Sequence, residues 1–183
     1  LHYPLRRQRQ MCIRDSPTGS SLKPFLAYGP AIENMNWATN HAIQDEEAYQ
    51  VDGVTFRNYD TKGHGEVKLY DALRQSFNIP ALKAWQSSKE NAGNDAPKDF
   101  ANKVGLEYEG DIGPSEVLGG SSSEFSPTQL ASAFASIANG GEYNNAHSIK
   151  KVEKEDGETI NYDHTSKKAM KDSTSYMLSL IHI

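Results

Sequence analysis

Two short patterns in this 183-residue chain place a hydroxyl beside a group that can handle its proton. Ser20-Ser21-Leu22-Lys23 has the form Ser-x-x-Lys. On a helix that spacing sets hydroxyl and amine one turn apart on one face, so the amine can take the serine proton without a histidine. The pattern alone is weak, since about one chance occurrence is expected in a chain of this size, and a second copy stands at Ser148-Ile149-Lys150-Lys151. The second copy lies in a charged, strand-like segment with no apolar helical face and reads as surface. The first has Gly19 before it, Pro24 after it, and Leu22, Phe25 and Leu26 at helical spacing. Such an apolar helix would bury the pair and favour a neutral lysine. Ser76-Phe77-Asn78 adds a second hydroxyl and a carboxamide, which could relay a proton to a leaving amine and hold a peptide's backbone amide. In isolation this triplet is an ordinary inter-helix turn. With Ser20 and Lys23 upstream it becomes the candidate second half of one site.

Several elements must position these groups. The spacing predicts a buried helix over 20–28, with Ser20 in its first turn, Pro24 tolerated because it comes so early, and an end at Gly29-Pro30. Residues 34–66 are rich in Asn, Asp, Gly, Thr and His with scattered aromatics; they predict a long ordered excursion rather than a regular element, and such loops are commonly functional. Leu69, Ala72 and Leu73 predict a helix over 67–75, and another starts at Ile79 with Pro80 in its first turn. A third covers 97–104 and stops at Gly105. Ser126-Pro127-Thr128-Gln129 opens a fourth with a capping box and an early proline, running through Leu130, Ala133, Phe134 and Ile137 to Gly140-Gly141. Glu155-Asp156-Gly157-Glu158 between two β-compatible runs predicts a hairpin. A last helix is expected from about Lys171.

Gly19 to Phe25, Tyr28-Gly29-Pro30-Ala31-Ile32-Glu33, Asn58-Tyr59-Asp60, Gly65, Ala72 to Ala81, Leu118-Gly119-Gly120, and Ser126 to Ala131 through Ala138-Asn139-Gly140-Gly141 carry a resemblance. Over essentially all of residues 17–177 the chain resembles the transpeptidase domain of class A, bifunctional penicillin-binding proteins of Gram-positive cocci. The resemblance implies a peptidoglycan D,D-transpeptidase, with Ser20 as the acylated nucleophile, Lys23 as its base, and Ser76 and Asn78 as the second catalytic motif. It implies stem peptides ending in D-Ala-D-Ala and β-lactam antibiotics as partners, and no cofactor. The parent protein is expected at the extracellular face of the bacterial cell membrane, with its anchor and a glycosyltransferase domain outside this chain. The implied fold class is α/β: a mostly helical fragment of the penicillin-binding transpeptidase and β-lactamase-like fold, with the central antiparallel sheet largely missing. The family's third motif, Lys-Thr-Gly, does not occur in the chain. In the family that motif supplies one N–H of the oxyanion hole, and losing one such donor costs on the order of a hundredfold in rate. The fragment is therefore expected to be inactive. Two other readings use the same first motif. One is a serine β-lactamase, which would also need a base for a deacylating water. The other is a penicillin-sensing or otherwise non-catalytic penicillin-binding module.

The two ends read differently. Met11-Cys12-Ile13-Arg14-Asp15 with the start of Ser16 can be back-translated ATG TGT ATA AGA GAC AG, and residues 178–183 as CTG TCT CTT ATA CAC ATC. Apart from the final bases, each is the reverse complement of the other. This pair is the mosaic end of a transposase used to make sequencing libraries, and Arg6-Arg7-Gln8-Arg9-Gln10 spells the adaptor that precedes it. The expected organisation is translated adaptor over 1–16, a partial penicillin-binding transpeptidase domain over 17–177, and adaptor again over 178–183. Adaptor residues are expected to pack poorly. Arg6, Arg7, Arg9, Arg14 and the single cysteine, Cys12, then carry no function. The excess of 24 Asp and Glu over 19 Lys and Arg widens without those arginines, which argues against nucleic-acid binding. No run of about 18 apolar residues could span a membrane. His41, His64, His147 and His164 show no metal-ligand spacing and read as solvated or loop-packed, so no metal is expected.

Overall fold

The structure is a computed structural model that describes residues 17–120, 123–147, 149–161 and 166–182. Residues 1–16, Ser148 and His164 lie outside the described residues.

The first helix, α1, covers residues 19–35 in three pieces: a 3₁₀ turn Gly19–Leu22, a π segment Pro24–Tyr28 and a regular stretch Gly29–Met35. The expected stop at Gly29-Pro30 is corrected. Gly29 stays helical at φ −59° and donates its N–H to the Pro24 carbonyl, closing the wider π turn. Pro30 then falls in the first turn of the regular stretch, where a missing N–H costs little. The helix ends instead at Asn36, in the left-handed conformation with φ 55°. Leu22, Phe25, Leu26, Ala27, Tyr28 and Ala31 are fully buried. A helix apolar on so much of its circumference belongs at the centre of a core.

The excursion over 34–66 is also corrected, because it contains regular structure: β1 Ala42–Asp45, β2 Tyr49–Val51, β3 Val54–Phe56 and the start of β4 Gly65–Lys68. β2 and β3 form a hairpin closed by Asp52 and Gly53, both left-handed at φ 50° and 77°. That is the two-residue turn Asp-Gly favours. β1 pairs antiparallel with β4, placing Ile43 opposite Val67 and Asp45 opposite Gly65. Alternate side chains of a strand point the same way, so the face of β1 that buries Ile43 also buries Asp45.

Because Val67 and Lys68 belong to β4, the next helix, α2, is only Leu69–Arg74. Then come α3 Asn78–Ala92, α4 Ala96–Lys103, α5 Pro114–Val117 and α6 Pro127–Ala138. The predicted capping box of α6 is present: Gln129 N donates to Ser126 Oγ at 3.2 Å and Ser126 N to Gln129 Oε1 at 3.0 Å. β5 Glu142–Tyr143 pairs with β8 Lys167–Lys168, and between them β6 Lys151–Glu153 and β7 Thr159–Asn161 form the predicted hairpin. Among the described residues every sheet is two-stranded and antiparallel.

The last helix, α7, is Asp172–His182 and passes position 178 without a break. It packs on α6, α1 and α2. Leu178 is fully buried and Ile181 nearly so, which corrects the expectation that residues 178–181 pack poorly. Burial depends on the chemistry and spacing of side chains, and Leu178 and Ile181 are apolar residues three apart on one helical face.

Candidate active site

The turn that carries Ser20 is held from behind by the segment after α5. Gly19 N donates to Gly119 O at 3.2 Å, and Thr18 Oγ1 to Ser123 O at 2.9 Å. Ser21 Oγ closes the turn locally on Thr18 O at 2.6 Å. Gly119 sits at φ 78°, and a Cβ there would lie 2.0 Å from Gly19 O. Both the backbone conformation and the close approach exclude a side chain. In this turn Ser20 is exposed, whereas Lys23 at the start of the π segment is fully buried. The expected burial of the pair together is corrected: the hydroxyl faces solvent and the amine points inward.

Gln75, Ser76 and Phe77 join α2 to α3, and Asn78 is the first residue of α3. Phe77 N donates to Ala72 O and Ser76 N to Leu73 O, both at 3.0 Å. This is a Schellman ending, which needs a left-handed residue and usually takes glycine. Here Ser76 takes it at φ 57°, at a cost of about 1 kcal/mol. The bend turns both the carbonyl and the hydroxyl of Ser76 toward Lys23.

Lys23 Nζ donates to Ser76 O at 2.6 Å, to Asn78 Oδ1 at 2.7 Å and to Ser76 Oγ at 3.1 Å. Three ammonium hydrogens thus meet three neutral acceptors. Among the described residues Lys23 has no carboxylate partner. Burial disfavours its charged form and pushes its pKa down to about 8. Such an amine exchanges a proton near neutral pH, where an exposed lysine stays charged. Ser20 Oγ is joined by a hydrogen bond neither to Lys23 nor to Ser76 among the described residues.

An exposed serine thus stands one turn from a buried, counter-ion-free lysine whose amine is held by a Ser-x-Asn turn. The family model described as the penicillin binding protein transpeptidase domain matches residues 6–180. The chain belongs to that family.

Among curated relatives of this transpeptidase domain, penicillin-binding protein 1A/1B of Bacillus subtilis is 38% identical over 164 residues, covering 88% of this chain and 18% of the relative. Penicillin-binding protein 1A of Streptococcus oralis is 31% identical over 172 residues, 88% of this chain and 26% of the relative. The chain therefore spans about a quarter or less of these relatives. Among solved structures, a ceftriaxone acyl-enzyme complex of penicillin-binding protein A from M. tuberculosis superposes with a TM-score of 0.76 at 16% identity, over 92% of this chain and 42% of that one. The penicillin-binding protein PonA1 from Mycobacterium tuberculosis gives 0.74 at 22% identity, over 91% and 46%. At these identities the likeness establishes the fold.

The transpeptidase domain also draws on residues to which motif reasoning assigned no role. Asp45 is almost fully buried and accepts Asn58 Nδ2 on both oxygens at 2.9 Å and His64 Nδ1 at 2.6 Å. His64 is exposed to solvent, as expected, yet it has a carboxylate partner at each ring nitrogen. Its Nε2 lies 3.1 Å from Asp60 Oδ2, and its ring stacks on Phe77 with centroids 4.1 Å apart. The hydrogen bond that His64 donates to the Asp45 carboxylate raises the His64 pKa. Asn58 had surfaced only within the resemblance; Ala42-Ile43-Gln44-Asp45 shows no polar-apolar alternation, so no local signal marked Asp45 as buried.

Proposed function

We propose that this chain is the acylating part of a peptidoglycan D,D-transpeptidase, with Ser20 as nucleophile, Lys23 as its base, and Ser76 and Asn78 as the second motif. The observation that carries this reading is Lys23, a fully buried amine with a pKa near 8 whose three acceptors come from Ser76 and Asn78. In its neutral form the amine takes the Ser20 proton as Oγ attacks the penultimate D-Ala carbonyl of a stem peptide. The peptide C–N bond breaks, Ser76 Oγ hands a proton to the departing D-Ala nitrogen, and Lys23 reprotonates Ser76. An amine from a second stem peptide then attacks the ester and releases Ser20. Asn78 offers its carboxamide to the substrate backbone or to the lysine. A β-lactam enters by the same attack, its ring amide opens, and the ester persists. This chemistry belongs at the extracellular face of the cell membrane, where cross-linking occurs.

The same reading treats the chain as one wall of a larger catalytic cleft. In support, it covers less than half of the solved relatives and contains no Lys-Thr-Gly. The central sheet, and the oxyanion donor carried with that motif, would come from the rest of the domain. On its own the 183-residue chain should accordingly be acylated at least about a hundredfold more slowly than the full-length protein.

The test is labelling of the full-length protein with a fluorescent penicillin, followed by mass spectrometry of the modified peptide. The label should sit on Ser20, vanish in Ser20→Ala and persist in Ser148→Ala. Persistence after the first change, or loss after the second in a folded protein, would show that the wrong Ser-x-x-Lys had been chosen. Continuous hydrolysis of penicillin in place of a stable adduct would mark a β-lactamase.

A further inference from the structure

Helix α3 begins without a local cap. Its N-cap residue is Phe77, whose side chain cannot accept a hydrogen bond, so the first N–H groups of the helix need a partner from elsewhere. Asn58 supplies it from the excursion. Its Oδ1 accepts from Asn78 N at 2.8 Å and from Ile79 N at 3.3 Å. Its Nδ2 donates to both Asp45 oxygens and to Lys62 O, all at 2.9 Å. Asn58 itself is 3% exposed. The neighbouring Arg57 carbonyl takes Asn78 Nδ2 at 2.9 Å. With the nitrogen of the Asn78 carboxamide committed there, its oxygen is the end that faces Lys23, at 2.7 Å. The stack of His64 on Phe77 adds a second clamp on the same turn.

We infer that Asn58, oriented by the buried Asp45 carboxylate, is a positioning residue that sets Asn78 against Lys23 and thereby the polarity of the amine's surroundings. A cap for α3 could have come from a serine or aspartate at position 77 itself. Using Asn58 ties the first residue of α3 to the β1–β4 frame, so the Lys23 acceptor is located by the excursion as well as by its own helix. Asp45 is held in turn by His64 Nδ1 and His64 N. The chain of contacts therefore runs from His64 through Asp45, Asn58 and Asn78 to Lys23 without a gap. The inference rests on the site proposed above but is tested on a separate observable.

That observable is the titration of the Lys23 side chain, followed by NMR in the 183-residue chain with labelled lysine and assigned by its loss in Lys23→Met. Asn58→Ala should free Asn78, remove one fixed acceptor from the ammonium and lower the Lys23 midpoint by about half a unit or more. Leu130→Ala, in α6 and far from this network in sequence, should lower the melting temperature but leave the midpoint in place. If Asn58→Ala lowers the melting temperature and the midpoint does not move, Asn58 is a structural cap only and the inference fails. Should Asn58→Ala not fold, the isosteric exchange decides. Asn58→Asp alone sets two carboxylates face to face and should displace the midpoint. Adding Asp45→Asn restores a donor-acceptor pair at unchanged net charge and should return it. Equal displacement in the single and the double variant overturns the inference. A Lys23 that responds to Asn58, when the full-length protein is never acylated at Ser20, keeps the inference and sinks the transpeptidase reading. Acylation at Ser20 with an indifferent Lys23 does the reverse.

Discussion

Lys23 concentrates the energetics of the site in one side chain. A lysine taken fully out of water with only neutral acceptors destabilises the folded state as long as it is charged. Its pKa falls from 10.5 to about 8 on folding, so the unfolded chain binds more protons between those values. Stability contributed by this group therefore rises as pH increases through that window, and the full penalty is present below about pH 8. The shift corresponds to about 3 kcal/mol. Urea unfolding of wild type and Lys23→Met at pH 7 and pH 10 should show wild type gaining on the variant by that order as pH rises. Parallel stability profiles would mean that the amine is better solvated than its burial indicates. Ser76 adds a smaller local cost through its left-handed backbone, of the kind commonly found where geometry serves a site.

At the scale of elements, α1 depends on a glycine inside a helix, which propensity alone would count as a defect. Gly29 has ordinary helical angles, so alanine there should stabilise the helix by up to about 1 kcal/mol. Sterics oppose this. A Cβ on Gly29 would stand 2.4 Å from Pro24 O and 2.6 Å from Cε1 of Phe100. The carbonyl is committed to the π turn and cannot yield, and Phe100 on α4 is buried. Overpacking of this kind costs about 1–3 kcal/mol, so Gly29→Ala should be destabilising by about 1–2 kcal/mol in denaturant unfolding. Gly110→Ala, where an added Cβ meets nothing within 4 Å, should be close to neutral. A stabilised Gly29→Ala would show that α4 can retreat from α1. The variant also tests the Ser20–Lys23 geometry, since the π segment begins directly after Lys23.

For the whole molecule, closure of the core depends on α7. Glu33 at the end of α1 accepts from Lys171 N at 3.0 Å and from Thr174 Oγ1 at 2.5 Å, and Ser175 Oγ donates to Ile137 O at 2.7 Å. These bonds seat the helix, and Leu178 then fills the core. Leu178→Ala should cost about 3 kcal/mol, the usual size for a buried leucine, read from the urea midpoint at constant m-value. A loss under about 0.5 kcal/mol would mean that the turn from 178 onward frays in solution, in keeping with the adaptor reading of that stretch.

What could be read from sequence alone were features set by neighbours a few positions apart. The capping box of α6, the early prolines of α3 and α6 and the hairpin at Asp156-Gly157 are all interactions within a turn or two. The family followed from the same short motifs. The Asp52-Gly53 hairpin was equally local and was masked by its polar surroundings, while α1 outran Gly29-Pro30 because a π turn absorbed the second proline. The exposure of Ser20 and the burial of Lys23 depend instead on the Gly119 segment and the Ser76 turn packing around α1. The burial of Asp45, and its passage through Asn58 to Asn78, required β1 to meet β4 across the excursion. Those contacts join residues distant in the chain, and their free energy is gained only after the loop between them has closed. Local composition does not encode which distant partner closes it; the packed core does.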